Sequence, residues 1–126
     1  LGAVYRKDPV IDLPTQTEYL QDQATLDGLG LTQFSKMITS GGMKAGRAGL
    51  LADYPQTLEG MTAAQTQDLQ AYLVGYKSEQ IINWRIKNGV LVLVVIAICS
   101  EEQIDQFDTE EKIEYLVLAL DENGRY

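Results

Sequence analysis

Hydrophobic and polar positions follow two different periods along this chain of 126 residues. In residues 80–87 apolar and polar side chains alternate, and residues 90–99 form a continuous apolar run. Asn88-Gly89 separates the two stretches, and both residues tolerate the positive φ of a two-residue hairpin turn. The pattern predicts a β-hairpin over residues 80–99. Its second strand has no polar face, which indicates a central strand covered on both sides, by helices or by a partner chain.

The first part of the chain shows weaker patterns with helical spacing. Residues 15–27 carry one apolar stripe, with threonine near the start and Gly28 after the end, which predicts a short helix. A second short helix is predicted from Thr32 to the pair Gly41-Gly42. Neither helix is long enough to be stable alone, so both are expected to pack on another element.

A longer helix is predicted over residues 62–76. Thr62 and Gln65 have the spacing of a capping box, in which their side chains bind free backbone N–H groups at a helix start. Apolar side chains then recur at helical spacing: Leu69, Tyr72, Leu73 and Tyr76. Ser100 and Gln103 repeat the capping-box spacing, and Ile104 with Phe107 predicts a short amphipathic turn after them.

Residues 112–120 fit both periods. Four apolar positions would line one face of a helix, whereas Ile113, Tyr115 and Val117 stand at alternate positions, as in a strand. We favour a strand, because it would give the hairpin a third strand, and three strands form a more stable sheet than two.

These elements predict an α+β fold, with N-terminal helices packed on a small antiparallel sheet built around the 80–99 hairpin. The chain length fits one domain, which we place over residues 15–126. Residues 1–14 contain two prolines, which interrupt both helices and sheets, so an extended arm is expected there. The longest apolar run has ten residues and a membrane-spanning helix needs about 20, so we expect a soluble chain without a membrane span.

Composition excludes several classes of function. The absence of histidine removes Ser-His-Asp and Cys-His catalysis and every histidine-containing metal site. Cys99 is the single cysteine, so the chain has neither an internal disulfide nor a paired-cysteine metal motif. Because Cys99 ends the apolar run, we expect it to be a buried core thiol. A net charge of −8 argues against nucleic-acid binding.

The negative charge is concentrated at the C-terminal end. Residues 101–126 hold nine acidic and two basic side chains, a balance of −7, whereas residues 1–100 contribute only −1. The acidic segment is either a solvated face or a surface that steers a basic partner. If it is functional, six residues are the candidate partner-binding set: Glu101, Glu102, Asp105, Asp108, Glu110 and Glu111.

Two alternative functions use other chemistry: a small nucleotide- or phosphate-binding domain, and a divalent-metal-binding module. The glycine-rich segment 40–49 has the Gly-x4-Gly spacing of a phosphate-binding loop, but Arg47 and Ala48 stand where lysine and serine or threonine are needed. A flexible connector is the simpler interpretation of this segment. The carboxylates of residues 101–111 are dense enough for a divalent-metal module, although they lack the calcium-loop pattern.

The sequence thus favours a non-catalytic interaction or assembly protein with an acidic C-terminal surface. Such a protein would be a subunit of a larger complex, an acidic inhibitor of a basic target, or a self-associating chain. We assign no catalytic residue, no metal ligand and no cofactor.

Overall fold

The computed structural model describes residues 2–56, 59–66, 69–103 and 105–126, without the side chains of Gln65, Thr66 and Glu102. The chain divides into two compact units, Leu1–Ser78 and Glu79–Tyr126. Short helices and two small antiparallel sheets confirm the predicted α+β class. The division into an arm over residues 1–14 and one domain over 15–126 stays a prediction.

The main helix of the first unit, α1, spans Leu31–Ala45. Gly46 follows with a φ of 78°, the left-handed conformation that commonly closes a helix. Gly41 and Gly42, predicted to stop the helix, lie inside it. The flexible connector predicted over residues 40–49 is therefore wrong for its first half. Each glycine weakens a helix by only about 1 kcal/mol, which packing of the helix can offset.

A two-stranded sheet packs against α1. Strands β1 (Gly49–Asp53) and β2 (Tyr72–Tyr76) pair antiparallel. At Gly75 a Cβ atom would lie 2.9 Å from Ile38 Cδ1 and 3.3 Å from Phe34 Cε2. The missing side chain of Gly75 thus lets the helix approach the strand closely, and Phe34 is buried at this contact with an exposed fraction of 1%.

The helix predicted over residues 62–76 is largely wrong. A short helix, α2, covers Ala63–Thr66, and strand β2 occupies Tyr72–Tyr76. Gln67, Asp68 and the capping side chain of Gln65 lie outside the described part of the chain. Pairing of β2 with a strand 19 to 27 residues away, from Asp53–Tyr72 to Gly49–Tyr76, overrides the local helical spacing.

Residues 15–30 form a compact loop beside this sheet. A 3-10 helix covers Thr15–Gln21, shorter than the helix predicted over 15–27 and without a threonine cap. Ala24 is completely buried, and its carbonyl accepts a hydrogen bond of 2.7 Å from Leu73 N in β2. At Gly30 a Cβ atom would lie 2.5 Å from the carbonyl oxygen of Gln21, so only glycine fits there.

The N-terminal segment contacts α1 through polar groups. Residues 2–7 form turns, and residues 8–14 form neither helix nor strand. Tyr5 Oη and Thr39 Oγ1 share a hydrogen bond of 2.8 Å, and Lys36 Nζ lies 2.6 Å from Asp8 Oδ1. The hydrogen bond with Thr39 is the main cause that lowers the pKa of Tyr5. The segment is therefore anchored on one helix by side-chain contacts.

The second unit contains a three-stranded antiparallel sheet in the order β3-β4-β5, with β3 over Ile81–Lys87, β4 over Val90–Gln103 and β5 over Thr109–Ala119. Asn88 and Gly89 connect β3 to β4 with φ values of 52° and 77°. The predicted hairpin, its central second strand and the strand predicted over 112–120 are all confirmed.

Strand β4 extends beyond its partner β3. Pairing with β3 reaches Ile96, whereas pairing with β5 continues to Gln103 opposite Thr109. Residues 97–103 and 109–115 therefore form a two-stranded ribbon roughly 20 Å long. The helix start predicted at Ser100–Gln103 is wrong, because the ladder with β5 holds these residues in the strand. Ile104 of the turn predicted after it lies outside the described residues.

Candidate interaction surface

The register of β4 and β5 determines which side chains share a side of the sheet. Leu120 N donates a hydrogen bond of 2.9 Å to Val92 O, one step beyond the pair formed by Leu93 and Ala119. The register continues without a shift to Gln103 and Thr109. Side chains at alternate positions of a strand point to opposite sides. Odd-numbered residues of both strands therefore share one side of the sheet, and even-numbered residues share the other.

The odd-numbered side carries an exposed apolar stripe on β5. Ile113, Tyr115 and Val117 have exposed fractions of 56%, 61% and 56%. We name these three residues the β5 stripe. On the even-numbered side, by contrast, Ile96 of β4 is buried with an exposed fraction of 3%, and Leu116 and Leu118 of β5 are half-buried.

Cys99 lies opposite Ile113 on the same side as the β5 stripe, and it is exposed. The prediction that this thiol is buried in the core is therefore wrong. Its exposure follows from the length of β4, since Cys99 lies beyond Ile96, the last residue that pairs with β3. The expectation that helices or a partner chain cover β4 on both sides stays a prediction.

The acidic residues predicted as a partner site gather at the far end of the ribbon. Glu101 lies opposite Glu111 on the odd-numbered side, and the backbone of Glu102 pairs with that of Glu110. The side chains of Glu101, Glu110 and Glu111 are exposed. Carboxylates directly opposite each other in a sheet repel, so this arrangement weakens the pairing of the two strands.

The remaining two acidic residues lie between the strands. Asp105 Oδ1 accepts hydrogen bonds from Phe107 N at 2.6 Å and Asp108 N at 3.1 Å. Asp105 therefore stabilises the turn, as aspartate commonly does through its own following backbone. Asp108 is exposed. The structure thus brings all six candidate positions to one end of β4 and β5.

The alternative sites have less support from the geometry. Residues 40–45 of the glycine-rich segment belong to α1 and use their backbone groups in the helix rather than in a loop. Among the described residues, no three acidic or cysteine side chains lie close enough together to hold a metal ion. Within the same residues, no helix is long and apolar enough to cross a membrane.

An open groove of about 250 Å³ lies beside β2 in the first unit. Tyr19 lines this groove and donates a hydrogen bond of 2.7 Å to Ala71 O. Tyr72 at the wall donates to Asp53 Oδ2 at 3.2 Å. Partial burial, followed by the charge of Asp53, raises the pKa of Tyr72. No cluster of charged groups points into this groove from the residues that line it.

The chain matches no protein-family model and no curated protein.

Sequence reasoning missed the exposed stripe on β5. The alternation of Ile113, Tyr115 and Val117 indicates the strand, but the same alternation fits a strand with its apolar side in the core. The missing information is the strand order. In the described part of the chain β5 lies at the edge of the sheet, so its exposed side chains have a neighbouring strand on one side alone.

Proposed function

We propose that this chain is a non-catalytic interaction or assembly protein that binds a protein partner through the β4–β5 hairpin. The observation that carries the proposal is the exposed β5 stripe, which continues along the same strand to Glu111. We call the exposed glutamates at this end of the ribbon, Glu101, Glu110 and Glu111, the acidic end. Apolar side chains exposed side by side are typical of protein interfaces, and charges at the margin steer the partner.

The charge of the acidic end favours a basic partner. Glu101, Glu110 and Glu111 are exposed around the end of the ribbon. The repulsion between opposed glutamates would fall when a basic group lies against them. Binding of such a partner would therefore offset a cost that the free chain carries.

Native mass spectrometry of the protein isolated from its own source tests the proposal. We expect a complex of defined stoichiometry that contains this chain. A triple variant, Glu101→Lys, Glu110→Lys and Glu111→Lys, is expected to lose the partner while its circular dichroism spectrum stays unchanged.

A matched control carries the same change in charge on the first unit: Asp12→Lys, Glu18→Lys and Asp22→Lys, all at exposed positions. This control is expected to keep the complex. Loss of the complex in both triple variants would mean that net charge, rather than the acidic end, governs binding. A bare chain of 14.0 kDa from the native source would contradict the proposal.

A further inference from the structure

The outer edge of β5 carries backbone groups that β4 does not use. Since Leu120 forms a hydrogen-bonded pair with Val92 and the register has no shift, the even-numbered residues of β5 direct their N–H and C=O groups toward β4. The odd-numbered residues direct theirs outward. In the described part of the chain, no strand pairs with this outer edge.

The same odd-numbered residues carry the exposed side chains of the β5 stripe. Main-chain donors and acceptors and apolar side chains are therefore presented together at Ile113, Tyr115 and Val117. A strand added along this edge would form hydrogen bonds with these main-chain groups and would also cover the apolar side chains.

This edge lacks two common protections against strand addition. Residues 109–119 contain no proline, and their ladder with β4 has no bulge. Proteins usually blunt an exposed edge with one of these devices or with a short strand, and β5 spans eleven residues. The remaining protection is charge, because Glu111 is one of the odd-numbered residues whose backbone groups point outward.

We propose that the outer edge of β5 takes an extended, basic peptide segment of the partner as a fourth, antiparallel strand. The segment is apolar where it lies opposite the β5 stripe and carries lysine or arginine opposite Glu111, which Glu101 accompanies on the same side of the sheet. This inference rests on the proposed function and specifies how the partner is held. The antiparallel direction continues the pattern of the existing sheet.

A synthetic peptide with blocked ends tests the proposal against the full chain. From its N-terminus it reads Val-Thr-Tyr-Thr-Val-Thr-Lys-Thr-Lys, so that an antiparallel strand places the apolar residues opposite Val117, Tyr115 and Ile113 and the first lysine opposite Glu111. Fluorescence anisotropy is expected to show saturable binding. Hydrogen exchange by NMR is expected to slow at the amides of Ile113, Tyr115 and Val117.

N-methylation of the peptide separates strand addition from charge attraction. A methyl group on the tyrosine nitrogen removes an N–H that faces β5, and we expect at least about a tenfold loss of affinity, since about two hydrogen bonds are disturbed. A methyl group on an adjacent threonine nitrogen faces away and is expected to leave the affinity within about threefold. Equal effects of the two methyl groups would overturn the proposal.

Two further peptides and one protein variant complete the test. A peptide of the same composition with its residues scrambled, and one with the order reversed, are expected to bind at least tenfold more weakly. Equal binding of the scrambled peptide overturns strand addition, and equal binding of the reversed peptide overturns the antiparallel direction. Ile113→Pro removes an outward N–H and is expected to weaken binding more than Ile113→Thr, which keeps it.

The two proposals fail in different ways. If the native complex depends on the acidic end but the peptide slows no amide of β5, the edge proposal is wrong and the proposed function stands. If the native protein forms no complex, the proposed function fails whatever the peptide does.

Discussion

Glu101 lies directly opposite Glu111 in the antiparallel pair of β4 and β5, with both side chains exposed. Two carboxylates at this spacing repel each other. A sequence selected for stability alone would place opposite charges there. The arrangement is consistent with stability given up for binding.

Replacing one of these glutamates is therefore expected to stabilise the protein. Glu111→Lys converts a repulsive pair into an attractive one and should raise the free energy of unfolding by up to about 1 kcal/mol at low salt. Glu122→Lys makes the same change in net charge at an exposed position outside the strands and is expected to give a smaller gain. Urea denaturation followed by circular dichroism measures both.

Salt provides the control for this comparison. Interactions between exposed charges are largely screened at about 1 M salt, so the advantage of Glu111→Lys over Glu122→Lys should vanish there. Equal stability of the two variants at low salt would show that the opposed carboxylates carry no cost.

Two glycines of the first unit are expected to respond oppositely to alanine. At Gly30 the added Cβ would meet the carbonyl oxygen of Gln21 at 2.5 Å, and that backbone must shift, so Gly30→Ala should destabilise by about 1–3 kcal/mol. Gly42 lies inside α1, and a Cβ atom there would meet nothing within 4 Å. Gly42→Ala should therefore stabilise by about 0.5–1 kcal/mol. Thermal denaturation of both variants beside the natural chain checks the two signs.

Alkaline pH is expected to weaken the first unit through Tyr72. Partial burial and Asp53 raise the pKa of Tyr72 above its ordinary value of 10.0. A raised pKa in the folded state means that the contribution to stability is complete below pH 10 and is lost as the pH rises through the folded pKa. Tyr72→Phe should reduce this loss. Denaturation midpoints at pH 8 and above pH 10 compare the two chains, and an identical decline in both would contradict the role of Tyr72.

The N-terminal segment should be released when its contacts with α1 are removed. Lys36 contacts both Asp8, at 2.6 Å, and the ring of Tyr5, at 5.7 Å from its centroid. Lys36→Ala is expected to accelerate tryptic cleavage after Arg6 and Lys7, with a change in global stability below about 1 kcal/mol because the ion pair is exposed. Mass spectrometry of timed digests measures the cleavage.

Lys44→Ala is the matched control for the digest, since Lys44 is an exposed lysine of the same helix. It should leave the rate of cleavage after Arg6 and Lys7 unchanged. Equal rates in the Lys36 and Lys44 variants would mean that Lys36 does not anchor the segment.

The accuracy of the sequence-based predictions follows how local the determining interactions are. Asn88-Gly89 specifies its own turn, so the hairpin could be predicted with nearly correct bounds. Residues 72–76 have helical spacing, yet they form β2 because pairing with β1 and the close approach of α1 at Gly75 outweigh a local preference. That competition involves residues far apart in sequence and leaves no local signal.

The candidate site likewise depends on both local and distant features of the chain. The acidic positions could be predicted from composition, since charge density is visible in the sequence itself. Which glutamate faces which depends on the register of β4 and β5, and a shift of one residue would move every side chain to the other side. The β5 stripe depends in addition on the strand order, which no short stretch of sequence contains.

The turn at Asn88-Gly89 also bears on the order in which the molecule folds. Lys87 and Val90 pair across two residues, so bringing them together costs little chain entropy. The pairs of β1 and β2 instead join residues at least 19 positions apart, from Asp53 to Tyr72. Because local pairs form faster than distant ones, we expect the β3–β4 hairpin to form before the sheet of the first unit when the full chain refolds.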